Sequence, residues 1–335
     1  ADKVQMVSYA PLIENAAHGK DHLLVLKNDS VYGRTNYYVL KMFSENRPDV
    51  NLHTDLKPAS PEPVFRTNGF IGLGTNNTEA QFKDLKVIVN GEEIYTSGWG
   101  DFVDKWTIIR GDWKTEGNLL SQSQKGIDAL AILEDREFDN CTIELKAKKI
   151  SGTEGFRIVF GGTDPNNYFM ADIGSHTNES VIFREVNNEG SISLFDYRNT
   201  ASIKTDQWYT VRIEIEGAHW KCFLNDELQY EYTYAPKKKH YVVSGYDRER
   251  KEVIVKLVNA EAGNWKVRLQ LDKAKNLASK GTKIVLGADD RFDENSFSDP
   301  LKIVPKVTEL SGISNEFTID CQANSLTVLR IPCEK

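Results

Sequence analysis

The chain has 335 residues, 40% hydrophobic and 27% charged, with a formal net charge of -7. At about 100–200 residues per domain this allows two or three domains of a globular rather than disordered protein. A net acidic chain repels phosphate backbones, which argues against nucleic acid as a partner, and no apolar run approaches the ~18 residues of a membrane span.

Ala1-Asp2-Lys3-Val4 is no signal peptide, so a secreted or periplasmic parent would carry its signal upstream. Met6–Ala17 reads as helical, with Pro11 breaking the register. Leu23-Leu24-Val25-Leu26 is a short apolar run of the kind found in strands buried on both faces. After the loop Asn28-Asp29-Ser30, Tyr37–Phe43 reads as a short apolar helix, with Tyr38, Met42 and Glu45 at i, i+4 and i+7. Arg47-Pro48 ends it, because proline disfavours helix at the preceding residue. A buried strand followed by a helix is half of a βα unit and cannot shield both faces of its strand alone. The expectation is a larger α/β body upstream.

Pro58-Ala59-Ser60-Pro61-Glu62-Pro63 is the clearest linker. Strand patterns dominate after it: Gly69–Gly74, then Gln81–Val87 with apolar residues on alternate positions, then the hairpin signal Asn90-Gly91. In Thr142–Lys148, Ile143, Leu145 and Ala147 alternate with charged residues. Gly155–Gly161 and Tyr168–Ile173 look like further strands, and Tyr209, Val211, Ile213 and Ile215 alternate against Thr210, Arg212, Glu214 and Glu216. Many short strands with one wet face indicate a sandwich or jelly roll. A second boundary falls at Ala235-Pro236-Lys237-Lys238-Lys239, whose basic run reads as a solvated linker. Beyond it Val253, Val255 and Leu257 alternate, as do Trp265, Val267, Leu269 and Leu271, and Gly281–Leu286 and Leu326–Ile331 are strand-like. The fold class expected is mainly β in three parts: 1–58, 59–236 and 237–335.

Cys141, Cys222, Cys321 and Cys333 form no CxxC pair and have no His cluster beside them, so a zinc site is not expected and structural thiols are. An exported protein could still bridge them. The sequons at Asn28, Asn76, Asn140 and Asn178 matter only in a eukaryotic secretory pathway. No G-x-S-x-G elbow appears, and Gly72-Leu73-Gly74 is a lone fragment of a glycine pattern, read as a tight strand. Asp164-Pro165-Asn166-Asn167 and Asp289-Asp290 read as turns rather than calcium ligands. No metal and no cofactor is expected.

Sugars offer apolar C–H faces that stack on exposed rings and hydroxyls that need polar partners. Trp99, Trp106, Trp113 and Tyr168 lie among Gly, Asp and Asn residues, which suits such a platform; the alternative is that these rings fill the sandwich core. Trp208 and Trp265 begin alternating strands and read as core.

Two runs carry a family resemblance. Met6-Val7-Ser8-Tyr9-Ala10-Pro11-Leu12 and Val31-Tyr32-Gly33-Arg34-Thr35-Asn36-Tyr37-Tyr38-Val39-Leu40-Lys41-Met42-Phe43-Ser44 resemble, in order and spacing, two runs of glycoside hydrolase family 51 α-L-arabinofuranosidases. There the segment ends a (β/α)8 barrel. His240–Arg248, Glu252–Asn259 and Asn324–Ile331 resemble that family's C-terminal β-sandwich. One departure is His18-Gly19-Lys20-Asp21-His22, where the family commonly has W-N-P. In the middle, Gly69–Thr75 with Phe82–Val87 resembles a strand pair of concanavalin-like, laminin-G-like jelly rolls, as an insertion in some bacterial members. That pair usually closes the fold and here opens it, which suggests circular permutation.

The resemblance implies a parent that hydrolyses terminal α-L-arabinofuranosides of arabinose-containing polysaccharides, and it leaves a homo-oligomeric parent open. It places both catalytic glutamates upstream of this chain, so no catalytic residue is expected here. Asn315-Glu316 and Asn178-Glu179 have the letters of the family's acid/base motif but lie in β-rich stretches and read as surface carboxylates. The jelly roll is then expected either to bind the glycan or to serve only as a buttress.

Overall fold

The computed structural model describes residues 9–10, 12–17, 22–58, 65–188, 190–194, 201–272 and 274–333. The protein is mainly β, built of antiparallel sheets that form sandwiches. The chain clusters into two compact units: Glu62–Pro236, and Ala1–Pro61 together with Lys237–Lys335.

In the unit Glu62–Pro236 two sheets face one another. One runs Glu227–Thr233, His219–Leu224, Trp208–Glu216, Cys141–Gly152, Thr78–Val89, Leu119–Gln122, Trp113–Glu116, with Glu92–Ser97 also on Thr78–Val89. The other runs Gly190–Leu194, Ser180–Asn187, Asn167–Gly174, Phe156–Asp164, Asn68–Asn76, Asp128–Asp139, Trp106–Arg110. Their facing side chains make one core, with Phe82, Leu145, Val211, Ile213 and Trp220 from the first sheet and Leu73, Ala131, Ile158, Phe160 and Phe183 from the second. The two-residue periodicity of a strand accounts for this. Tyr209, Val211, Ile213 and Ile215 point inward, and the intervening Thr210, Arg212 and Glu214 point out.

Val89 pairs with Glu92 across Asn90-Gly91, and both turn residues have positive φ, 52° and 83°. This is the type I′ hairpin that matches strand twist. A Cβ at Gly91 meets nothing within 4 Å, so only backbone strain opposes a side chain there. Gly91→Val is expected to cost about 1–2 kcal/mol in urea unfolding; a neutral result would mean the turn is not of this type.

In the other unit a six-stranded sheet runs Lys306–Ser311, Lys280–Gly287, Ser325–Pro332, Glu252–Asn259, His240–Asp247, Val50–Leu52. One face packs Val255, Leu257, Leu329 and Ile331 on Val267, Leu269 and Ile319 of the pair Trp265–Gln270 and Glu316–Cys321. The other face carries the helix Thr35–Glu45, whose Met42, Tyr38 and Val39 meet Ile254, Leu286 and Val328. The helix end is pinned: Asn46 N–H and Nδ2 both donate to the Met42 carbonyl, and Arg330 donates to Asn46 Oδ1 at 3.0 Å. Thus residues 1–58, read from the sequence as a separate segment, supply an edge strand and a covering helix to this sheet.

Met6–Ala17 is not a helix where it is described. Ile13–Asn15 is a short strand parallel to Leu24–Lys27, which pairs antiparallel with Ser30–Gly33. Backbone hydrogen bonds from Leu24 to Leu12 and from Ala16 to Leu26 draw this stretch into a ladder instead. Residues 6–8, 11, 18–21 and 59–63, which carry parts of the first motif, of the loop departure and of the linker, lie outside the described residues.

Candidate functional site

The four aromatic residues selected from the sequence do not share a surface. Trp99, Trp106 and Trp113 are 1–7% exposed and sit between the two sheets. Trp99 and Trp106 meet edge to face at 5.6 Å, Trp106 Nε1 donates to the Tyr95 hydroxyl at 3.0 Å, and Trp113 stacks on Phe82 at 6.0 Å while donating to the Arg110 carbonyl. Packed this way, none of the three offers a ring face to a sugar. The Gly and Asp residues that suggested a platform instead let the chain turn around them; Trp99 itself has φ 65°. Tyr168 lies on the opposite side of the seven-stranded sheet, buried with Phe70, Leu130, Ile132, Val159 and Met170. Burial, first of all, raises its phenol pKa.

On that same sheet, neighbouring strands bring together a charged network. Arg157 pairs with Asp172, which pairs across the next strand with Ile182, two residue pairs along from Met170 and Arg184, so that Asp172 and Arg184 share a face. The Asp172 carboxylate accepts from Arg157 Nε at 3.1 Å, Arg184 Nε at 2.6 Å and Ser175 Oγ at 3.1 Å. Arg157 also pairs with Asp128 and lies 3.8 Å from Glu154. Burial alone would raise the Asp172 carboxyl, but the two guanidinium groups outweigh it and hold it below the usual carboxylate range. A carboxyl held ionised cannot be the protonated acid that glycoside hydrolysis needs, and one whose oxygens accept from two guanidinium groups and a hydroxyl is not free to attack as its nucleophile. The network therefore holds strands together rather than moving protons.

The two Asn-Glu pairs are no better suited. Glu316 is an exposed strand residue accepting from Arg268 Nε at 2.8 Å and Gln270 Nε2 at 3.0 Å, and the Arg268 bond leads in holding its pKa down. Asn178 spends its side chain on the Ile203 backbone, at 2.8 and 2.9 Å, and the exposed Glu179 follows it in a left-handed turn. Asp164 accepts from Asn166 N–H and Asn167 Nδ2, which is turn chemistry. The four cysteines are buried and unbridged, and burial pushes the Cys141 thiol up to about 12.

An aromatic surface that the sequence reading placed in the core lies on the outward face of the eight-stranded sheet. Trp208 is partly exposed and has the same parity as Thr210 and Arg212, not as Val211. Lys83 Nζ stands 4.3 Å and Lys148 Nζ 5.1 Å from the centre of its ring. Strand alternation was the available signal: Trp208 precedes inward-facing Tyr209 and must face out. Trp265, by contrast, packs against its core as read and stacks on His240 at 4.2 Å.

The family profile described as "Alpha-L-arabinofuranosidase C-terminal domain" matches residues 1–325 and so runs through the middle of the chain as well as its two ends. An extracellular exo-α-L-arabinofuranosidase of Streptomyces chartreusis is 26% identical over 337 residues, covering 99% of this chain and 40% of that protein. α-L-Arabinofuranosidase 1 of Arabidopsis thaliana is 27% identical over 151 residues, 42% of this chain and 22% of that protein. The chain thus spans less than half the length of these relatives. The family 51 α-L-arabinofuranosidase structure from Thermotoga petrophila is 15% identical with a TM-score of 0.26, covering 43% of this chain and 30% of that one, a likeness that carries no argument.

Proposed function

The chain belongs to the α-L-arabinofuranosidase C-terminal domain family, and from that membership we propose that it is the non-catalytic C-terminal portion of an enzyme that removes terminal α-L-arabinofuranosyl groups from arabinose-containing plant polysaccharides. Residues 1–58 are the closing part of its (β/α)8 barrel, 59–236 a concanavalin-like jelly roll that binds or positions the glycan, and 237–335 the C-terminal sandwich.

One observation supports the barrel reading above others. Leu12, Ile13, Leu26, Val31, Leu40 and Phe43 are between 37% and 55% exposed, although Leu12 directly precedes, and the others lie in, three short strands and a helix. A three-stranded sheet with bare apolar side chains wants a covering layer, and the rest of a barrel would supply one. In this chain alone those positions are wet. Val31→Thr is therefore expected to change the unfolding free energy by no more than about 0.5 kcal/mol; a loss of 2 kcal/mol or more would show the face to be covered already.

Burial of Trp99, Trp106 and Trp113 favours a second reading for 59–236, a buttress that binds no sugar. Two assays separate the possibilities. An aryl α-L-arabinofuranoside is expected to be left intact by this chain; turnover abolished by Glu316→Gln or Glu179→Gln would overturn the non-catalytic reading. Retention by arabinan or an acidic arabinose-bearing polysaccharide in affinity electrophoresis supports glycan binding, and passage through both leaves the buttress.

A further inference from the structure

We propose that the outward face of the eight-stranded sheet, centred on Trp208, Lys148 and Lys83, binds an acidic polysaccharide whose sugar rings carry carboxylates. This rests on the reading of 59–236 as a glycan-binding unit and names the chemistry it takes.

Register places the groups. Trp208 pairs with Lys148, Lys148 with Gln81, Gln81 with Ser121, and Ser121 with Lys114. All five side chains have outward parity in their strands, opposite to the buried Tyr209, Ala147, Phe82, Leu120 and Trp113. The result is a transverse row of one aromatic ring, two ammonium groups, one amide and one hydroxyl, with Gln81 Nε2 donating to Ser121 Oγ at 3.4 Å. Adjacent strands lie about 4.8 Å apart, so Lys148 and Lys114, three strands apart, stand about 14 Å from one another along the row.

Charge marks this row off from the rest of the face. Lys86 is matched by Glu93 at 2.5 Å and Lys146 by Asp84 at 3.0 Å. The row itself contains no carboxylate, and among the described residues Lys83, Lys148 and Lys114 have no ion-pair partner. Lys83 and Lys148 instead converge on the Trp208 ring, a contact worth about 0.5–1 kcal/mol at an exposed site. Trp208 takes no part in the core between the sheets. A partly exposed indole capped by two cations that have no carboxylate partner suits a ligand that is apolar on its ring face and anionic at its rim. A uronic acid residue is both: its carboxylate draws the two ammonium groups off the indole they cover, its C–H face takes their place on the ring, and its hydroxyls reach Gln81 and Ser121. Each exposed ion pair contributes at most about 1 kcal/mol, so affinity comes from repetition along a polymer, with Lys114 taking a further carboxylate.

The test is affinity electrophoresis of the whole chain through gels containing polygalacturonate or neutral arabinan, with a fluorescent oligonucleotide of matched charge as a separate arm. The expected result is retardation by polygalacturonate that weakens about tenfold or more in Lys83→Gln/Lys148→Gln, weakens in Trp208→Ala, and fades as salt rises. The lysine pair is on the surface, so its circular dichroism and unfolding midpoint should match the unaltered chain and exclude misfolding. Polygalacturonate binding that survives the lysine changes overturns the proposal. So does equal binding of the oligonucleotide with no effect of Trp208→Ala, which would be charge alone. Binding to neutral arabinan only removes this proposal and keeps the glycan-binding reading; binding to neither removes both.

Discussion

Asp172→Ala is expected to cost the unit Glu62–Pro236 about 3–5 kcal/mol, because it strips the counter-charge from two largely buried guanidinium groups. Asp172 is 1% exposed and, among the described residues, the only carboxylate that Arg157 and Arg184 share. After its removal Arg157 keeps Asp128 and Glu154, whereas Arg184 keeps the hydroxyls of Ser193 and Ser175. Arg184 is therefore the side left worse off. A second change, Asp172→Ala/Arg184→Met, is expected to recover part of the loss, since an apolar side chain in place of an orphaned charge removes the desolvation cost. The pH dependence follows in sign. The Asp172 carboxyl is held low by Arg157 and Arg184 against the opposing effect of burial, so its contribution is complete above the usual carboxylate pKa of about 4. It is lost as pH falls through the lowered value. Urea unfolding at pH 7, and midpoints followed from about pH 5 downward, measure both effects. A cost under about 1 kcal/mol at pH 7 would mean the pair behaves as a surface one.

Strand periodicity made most of the β architecture legible. Ile143, Leu145 and Ala147, or Val253, Val255 and Leu257, announce an inward face without any knowledge of what lies opposite. The Asn90-Gly91 turn was equally readable, because its chemistry is local. Three things were not. Joining of residues 1–58 to 237–335 depends on the pairing of Leu52 with Ser244, far apart in sequence, and no local pattern encodes a partner. The Arg157–Asp172–Arg184 network depends on strand order: each charge stands inside an apolar strand of its own, and only the register sets them side by side. The direction in which each tryptophan points was hidden for a different reason. Gly and Asp residues beside Trp99, Trp106 and Trp113 suit an exposed platform and a turn around a buried ring equally, whereas the parity of Trp208 against Tyr209 decides which way a ring faces. Composition around a ring says that the chain turns there; parity says which way the ring goes.

Two tryptophans of the same unit make that difference measurable, and Trp220→Ala carries the second large effect. Trp220 is fully buried in the strand His219–Leu224, packed by Phe169 at 4.7 Å, Phe160 at 5.0 Å, Tyr234 at 5.5 Å and Phe183 at 5.6 Å. Its Nε1 donates to Thr67 Oγ1 at 2.8 Å, and that hydroxyl donates onward to the Gly217 carbonyl at 2.6 Å. Truncation removes the largest side chain of an aromatic cluster drawn from both sheets, and neighbours fixed on strands cannot close the space. The expected cost is about 3–5 kcal/mol. Trp220→Phe keeps most of the volume and loses the hydrogen bond. It should cost less, about 1–3 kcal/mol, since Thr67 Oγ1 still has Gly217 as a partner. Trp208→Ala, on the wet face of the adjoining strand Trp208–Glu216, is expected to cost about 1 kcal/mol or less, the size of the lost contacts with Lys83 and Lys148. Urea unfolding of the three variants gives the order directly. Equal costs for Trp208→Ala and Trp220→Ala would mean that both rings are buried, and the surface proposed for acidic glycans would not exist.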